Sequence, residues 1–137
     1  YLMQNDEILI VQNYLRQTFS NDEIQIRKSD SETGFCNIFI KNISVGHIFR
    51  DEDPEDDETS YSLNIPISLS TDSDITHNQY LINLLGNKNI ILSGRGSIDD
   101  SQEVYLTKDD ENEYIGIIYK DDSASFTFTM SILDFDL

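Results

Sequence analysis

A single cysteine, Cys36, rules out any disulfide within this chain of 137 residues and fits a reducing compartment. Cations are scarce too: 9 lysines and arginines face 26 acids, a net charge of −17. Such a field repels nucleic acid and anionic lipid and attracts basic protein surfaces, so no direct nucleic-acid binding is expected. No apolar run approaches the roughly 20 residues that a membrane helix needs. No basic segment followed by an apolar stretch marks a signal peptide, so a cytoplasmic protein without membrane contact is expected. One cysteine with two scattered histidines, His47 and His77, makes no zinc site. The one glycine-rich stretch, Ser93-Gly94-Arg95-Gly96-Ser97, lacks the lysine and the following helix of a phosphate loop and reads as a turn between strands. No cofactor and no metal are expected.

What the chain does contain is a repeat. Tyr14–Lys41 aligns with Tyr80–Thr107 at a constant offset of 66, without a gap. Tyr14/Tyr80, Leu15/Leu81, Asn21/Asn87 and Ile24/Ile90 are identical, and Phe19/Leu85, Ile26/Leu92, Ile38/Val104, Phe39/Tyr105 and Ile40/Leu106 stay apolar. After four extra residues in the second copy, near Asp109 to Asn112, Gly46/Gly116 and Asp51/Asp121 also match. Self-similarity of this kind means one supersecondary unit used twice. The charge divides with it: residues 1–71 carry 13 acids and 5 bases, residues 72–137 carry 13 and 4. An even split indicates a folded body with a negative field, not a neutral domain with an acidic tail.

Each copy starts with a helix. Ile8, Val11, Leu15 and Phe19 fall on one stripe of a 3.6-residue period, predicting a helix over about 6–19 capped by Asn5. Thr76-His77-Asn78-Gln79 reads as a capping box, with Ile75 and Tyr80 able to form a hydrophobic staple. Leu81, Leu84 and Leu85 would make the apolar face of this second helix, and Gly86-Asn87 its stop. Four strands follow in each copy: 23–28, 35–41, 43–50 and 60–69, then 89–93, 103–107, 113–120 and 125 onward. The fourth alternates in both, with Tyr61, Leu63, Ile65, Ile67 and Leu69 on one face, and Phe126, Phe128, Met130 and Ile132 likewise. Pro66 predicts an edge or a bulge in its strand. The phase change at Leu133, Phe135 and Leu137 predicts a bulge near Ile132-Leu133.

The expected fold is α+β: an α-β-β-β-β unit used twice, antiparallel sheet with two short helices covering its apolar face, and pseudo-twofold symmetry. The whole of 1–137 is read as a single domain made of two repeats, about 5–70 and 74–137. Residues 70–73 are too short and plain to separate independent domains, so one shared core is expected.

Candidate sites are few. The densest charge cluster is Asp51, Glu52, Asp53, Glu55, Asp56, Asp57 and Glu58. It reads as a solvated hairpin loop or as a docking surface for a basic partner. A calcium loop fails on detail: Asp56 stands where the sharp-turn glycine belongs and Ser62 where the bidentate acid belongs. His47 aligns with Ile117 in a strand whose Val45, His47 and Phe49 should share a face, and reads as a satisfied or partly exposed histidine. His77 should face solvent from the first turn of the second helix. Cys36 reads as buried and inert.

Gln12-Asn13-Tyr14-Leu15-Arg16-Gln17-Thr18-Phe19 with Ile24-Gln25-Ile26-Arg27 resembles the start of a family of small alphaproteobacterial proteins of unknown function, the domain of unknown function 3126. Glu103–Leu106, Glu113–Asp121 and Ser125–Leu137 are similar to its closing pattern. The resemblance implies no activity. It implies one helix-plus-strands unit per member, whereas this chain carries two, as a fused version of a pair. A monomer is therefore expected.

The expected function is a non-enzymatic acidic protein–protein interaction module that binds a partner protein with a basic surface. The alternatives are a nucleic-acid-mimicking inhibitor of a DNA- or RNA-binding protein and, ranked last for want of a nucleophile–base pair, an enzyme with an unrecognised site.

Overall fold

The computed structural model describes residues 3–29, 34–53, 58–68, 76–93, 101–120 and 125–137. Two helices and eight strands follow the expected order: α1 (Asn5–Phe19), β1 (Ile24–Lys28), β2 (Phe35–Ile40), β3 (Ile43–Asp53), β4 (Glu58–Ile67), α2 (His77–Leu85), β5 (Ile90–Ser93), β6 (Gln102–Lys108), β7 (Glu111–Lys120) and β8 (Phe126–Leu133). The strands make an eight-stranded antiparallel sheet in the order β1-β2-β3-β4-β8-β7-β6-β5. Two compact units divide the chain: Tyr1–Asn64 with Ser131–Leu137, and Ile65–Met130.

In the first unit α1 buries the stripe read from its period: Ile8, Val11, Leu15 and Phe19. Burying each such side chain contributes about 1.5–3 kcal/mol, which a short helix needs in order to persist. The helix starts one residue earlier than expected. Gln4, not Asn5, is its N-cap, because Gln4 and Glu7 close a reciprocal capping box. Two further side chains tie α1 to the outer strand: Arg16 Nε donates to the Ile24 carbonyl at 2.7 Å, and Gln12 Oε1 accepts from the Ile26 N–H at 2.9 Å. Ile24 and Ile26 of β1, Ile38 and Ile40 of β2, Ile48 of β3, and Tyr61 and Leu63 of β4 are buried.

The second unit repeats these devices with different residues. Thr76 caps α2 by accepting from the Gln79 N–H, and Leu81 and Leu85 are buried, while Leu84 is half-buried. Ile75 lies outside the described residues. Gly86 ends α2 in the left-handed region at φ 68°, and Ser20 ends α1 in the same region at φ 51°. Asn87 Oδ1 accepts from the Asn89 N–H as Asn21 Oδ1 accepts from the Glu23 N–H, so each matched asparagine shapes the turn from helix to strand. The β2–β3 register shifts between Ile38 and Phe39, and the β6–β7 register between Val104 and Tyr105, positions 66 apart. The matched glycines stand across from these shifts, Gly46 opposite Ile38 and Gly116 opposite Val104. At Gly116 a Cβ would fall 2.2 Å from the Thr129 carbonyl oxygen, so nothing larger fits.

The four extra residues of the second copy lengthen a hairpin. In the first unit Ile40 pairs with Ile43 around Lys41-Asn42; in the second the ladder runs on through Thr107↔Asn112 and Lys108↔Glu111 around Asp109-Asp110. Both turns have positive φ at both central residues, the demand of a two-residue hairpin of type I′.

β4 has a neighbour on each side in the sheet order, but its register with β3 ends at Asn64, so Pro66 lies past the residues whose N–H groups that ladder uses. One reading needs correction: the phase change after Ile132 is not a bulge. β8 ends at Leu133 and Asp134–Asp136 form a 3-10 turn, which breaks the period of two by leaving the strand. Among the described residues the register shifts instead leave Val45 and Ile115 as extra residues, each directly before its glycine.

Candidate functional site

Strand β3 runs on three residues further than expected and β4 starts two residues earlier, and this changes the acidic cluster. Asp51 pairs with Ser60, Glu52 with Thr59 and Asp53 with Glu58, so four of the seven acids belong to the ladder. Asp51 and Glu58 are exposed. Glu55, Asp56 and Asp57 lie outside the described residues. Thr59, whose β-branched side chain suits a strand, lies in the ladder that the acid composition obscured.

A second acidic tip lies at Asp109-Asp110, a carboxylate pair that the sequence offers as mere adjacency and not as a hairpin end. Asp109 and Asp110 form the β6–β7 turn, with Glu111 and Glu113 beside them, all exposed. Lys108, Asp109, Glu111, Asn112 and Glu113 frame a shallow depression of about 370 Å³. The available signal was the insertion itself, which is polar throughout and sits where a hairpin must turn.

One carboxylate is used differently. Glu7, in the first turn of α1, receives three donors: its Oε1 accepts from the Gln4 N–H and from Arg50 Nη1, each at 3.0 Å, and its Oε2 accepts from the Tyr61 hydroxyl at 2.5 Å. Arg50 and Tyr61 face each other across β3 and β4, so one rung of the sheet grips one helix end. Glu7 and Arg50 keep side-chain exposures of 17% and 25%, which makes this a sheltered ion pair. Burial first, then the hydrogen bond to Glu7 and its charge, push the Tyr61 phenol up; Arg50 opposes and Asp134 adds to the rise. A phenol held protonated in this way is a clamp, not a nucleophile.

His47 is exposed, with its ring edge-on to Phe35 at 4.8 Å and Nδ1 3.2 Å from Asn37 Oδ1. His77 is not solvent-facing as expected. It is half-buried, its ring centroid 4.4 Å from that of Phe126 and Nδ1 3.3 Å from Gln102 Oε1, because the aromatic neighbour draws it inward. Cys36 is buried beside a cleft of about 180 Å³ that Met3, Lys28 and Phe35 also line. Burial pushes its thiol up, outweighing the charge of Lys28, which is the setting of an unreactive cysteine. Among the described residues no three acidic, histidine or cysteine side chains converge as a metal site would require, and no helix is long and apolar enough to cross a membrane. Gly94–Ser97 lie outside the described residues.

Among the known proteins, the family described as "Protein of unknown function (DUF3126)" matches the chain twice, over residues 7–72 and 77–136. No curated protein and no solved structure matches it.

Proposed function

We propose that this chain, which belongs to the DUF3126 family and carries that family's unit in two copies, is a non-enzymatic acidic interaction module that binds the basic surface of a partner protein. One observation carries the reading. With 26 acids and 9 bases, one-to-one pairing inside the protein leaves an excess of 17 negative charges that only an outside cation can match. Among the described residues, Asp6, Asp22, Glu23, Asp51, Glu58, Asp109, Asp110, Glu111, Glu113, Asp134 and Asp136 are exposed. The seven-acid β3–β4 hairpin is the densest part of this field and is assigned here as the partner-docking element.

The two copies, about 5–70 and 74–137, are read as a fused pair, an internal pseudo-dimer related by a pseudo-twofold axis, monomeric and cytoplasmic. The register shifts 66 residues apart, the matched glycines at them, the matched asparagine turns and the left-handed helix ends at Ser20 and Gly86 support the duplication. A second reading, mimicry of nucleic acid in the basic cleft of a DNA- or RNA-binding protein, draws support from the even division of charge between the copies.

The test is neutralisation of the hairpin by Asp51→Asn, Glu52→Gln, Asp53→Asn, Glu55→Gln, Asp56→Asn, Asp57→Asn and Glu58→Gln together. Basic proteins captured by the native chain should be retained at least about tenfold more weakly, with the circular dichroism spectrum unchanged. Equal retention by the variant would remove the hairpin from the interface. If the captured proteins bind DNA and release it on contact, mimicry is the function.

A further inference from the structure

The two units finish their outer strands differently. In the first, two of the outward-facing backbone groups of β1 are occupied: the Ile24 carbonyl by Arg16, and the Ile26 N–H by Gln12. An edge engaged in this way is blunted against the pairing of another strand. At the offset of 66 the second unit places Ile82 where Arg16 stands and Asn78 where Gln12 stands. Isoleucine donates nothing. Asparagine is one methylene shorter than glutamine, and the buried Asn78 Oδ1 has no hydrogen-bond partner. The direction of the β5 backbone follows from its ladder. The Asn89 carbonyl accepts from the Thr107 N–H and so faces β6, which turns the N–H and carbonyl groups of Ile90 and Leu92 away from it. β5 ends the strand order, and among the described residues no further strand or side chain pairs with these groups.

We infer that the outer edge of β5, Ile90–Ser93, takes up an extended segment of a basic partner protein as an added strand. Backbone hydrogen bonds at Ile90 and Leu92 would supply the pairing, and Ile91, 42% exposed, an apolar contact on one face. The occupant is chosen by charge. A second copy of this chain brings another −17 to the same place, whereas a segment alternating lysine or arginine with apolar residues is drawn in. The α2 helix above this edge carries no charged residue and so sets no barrier to such a segment. The inference rests on the proposed binding of a basic partner and adds where, and in what conformation, the partner is held.

The experiment uses the full chain and an alternating lysine–valine octapeptide, with amide exchange followed residue by residue by NMR. A control peptide of the same sequence and charge is N-methylated at every residue and cannot donate along either edge. The plain peptide should slow exchange at Ile90 and Leu92 by at least about tenfold, and the methylated one should not. The double variant Asn78→Gln with Ile82→Arg copies the β1 cover onto β5 and should abolish that protection. If this variant does not fold, the two peptides on the native chain decide alone. Equal, salt-sensitive binding of both peptides without protection at Ile90 and Leu92 would overturn the edge inference and leave acidic docking standing. Failure of both peptides to bind at low salt would overturn the two together. Protection that grows with protein concentration, alongside a dimer in sedimentation, would make the occupant a second copy and overturn the basic segment.

Discussion

Ser20 and Gly86 occupy the same place at the end of a helix, yet only one of them suits it. A non-glycine residue held in the left-handed region pays a steric cost that glycine avoids. Ser20, at φ 51°, pays it; Gly86, at φ 68°, does not. Ser20→Gly is therefore expected to stabilise the protein by about 0.5–1 kcal/mol, read as a rise of about 2–4 °C in Tm. The Glu7–Arg50–Tyr61 clamp makes a second residue-scale prediction. The Tyr61 phenol is raised above its ordinary value of 10.0 in the folded state. Below about pH 10 both folded and unfolded phenols keep their protons and the shift has no effect. Above that, the unfolded state ionises first, binds fewer protons than the folded state, and gains on it, so stability falls as pH rises. Tyr61→Phe should cost about 1 kcal/mol at neutral pH for the lost hydrogen bond and flatten that alkaline fall. Urea denaturation at pH 8 and above pH 10 checks both effects. Phe126 occupies the place of Tyr61 in the second copy, so the hydroxyl is an addition to the shared unit.

Hairpins and helix ends tell the same story at the scale of elements. Gly116 sits against the backbone of β8, and the cost of a side chain there is set by an atom that cannot rotate away. Gly116→Ala should destabilise by about 2 kcal/mol or more, measured by chemical denaturation, because β7 and β8 must separate to admit the methyl group. Among the described residues, the type and order of the two α-helices and eight strands were legible in the sequence, since apolar periods of 3.6 and 2 survive in both copies. What was not legible depended on events outside those periods. Gln4 takes the cap because Glu7 can reciprocate. β3 and β4 run on through acids because cross-strand pairing outweighs composition. The tail leaves the strand for a 3-10 turn, which an apolar alternation at Leu133 and Phe135 disguises. Of the candidate site, the acids were legible and their place in the ladder was not. The β6–β7 tip was hidden because an insertion looks like a gap until its register is known. The difference between the β1 and β5 edges needed coordinates, since Asn78 for Gln12 looks conservative until its Oδ1 is found without a hydrogen-bond partner.

For the whole molecule, charge is the dominant property. A body with an excess of 17 acids repels itself and every anionic surface, and that penalty is relieved by a cationic partner. Screening shortens the reach of the field to about 10 Å at 0.1 M salt and about 3 Å at 1 M, so association driven by it must respond to ionic strength. The most direct measurement is capture of proteins from lysate by the full chain at about 0.05 M and about 0.5 M salt, with the captured proteins quantified by mass. Basic proteins should be enriched at low salt and largely absent at high salt. Capture of nothing at low salt, or of the same proteins in equal yield at both, would contradict the account.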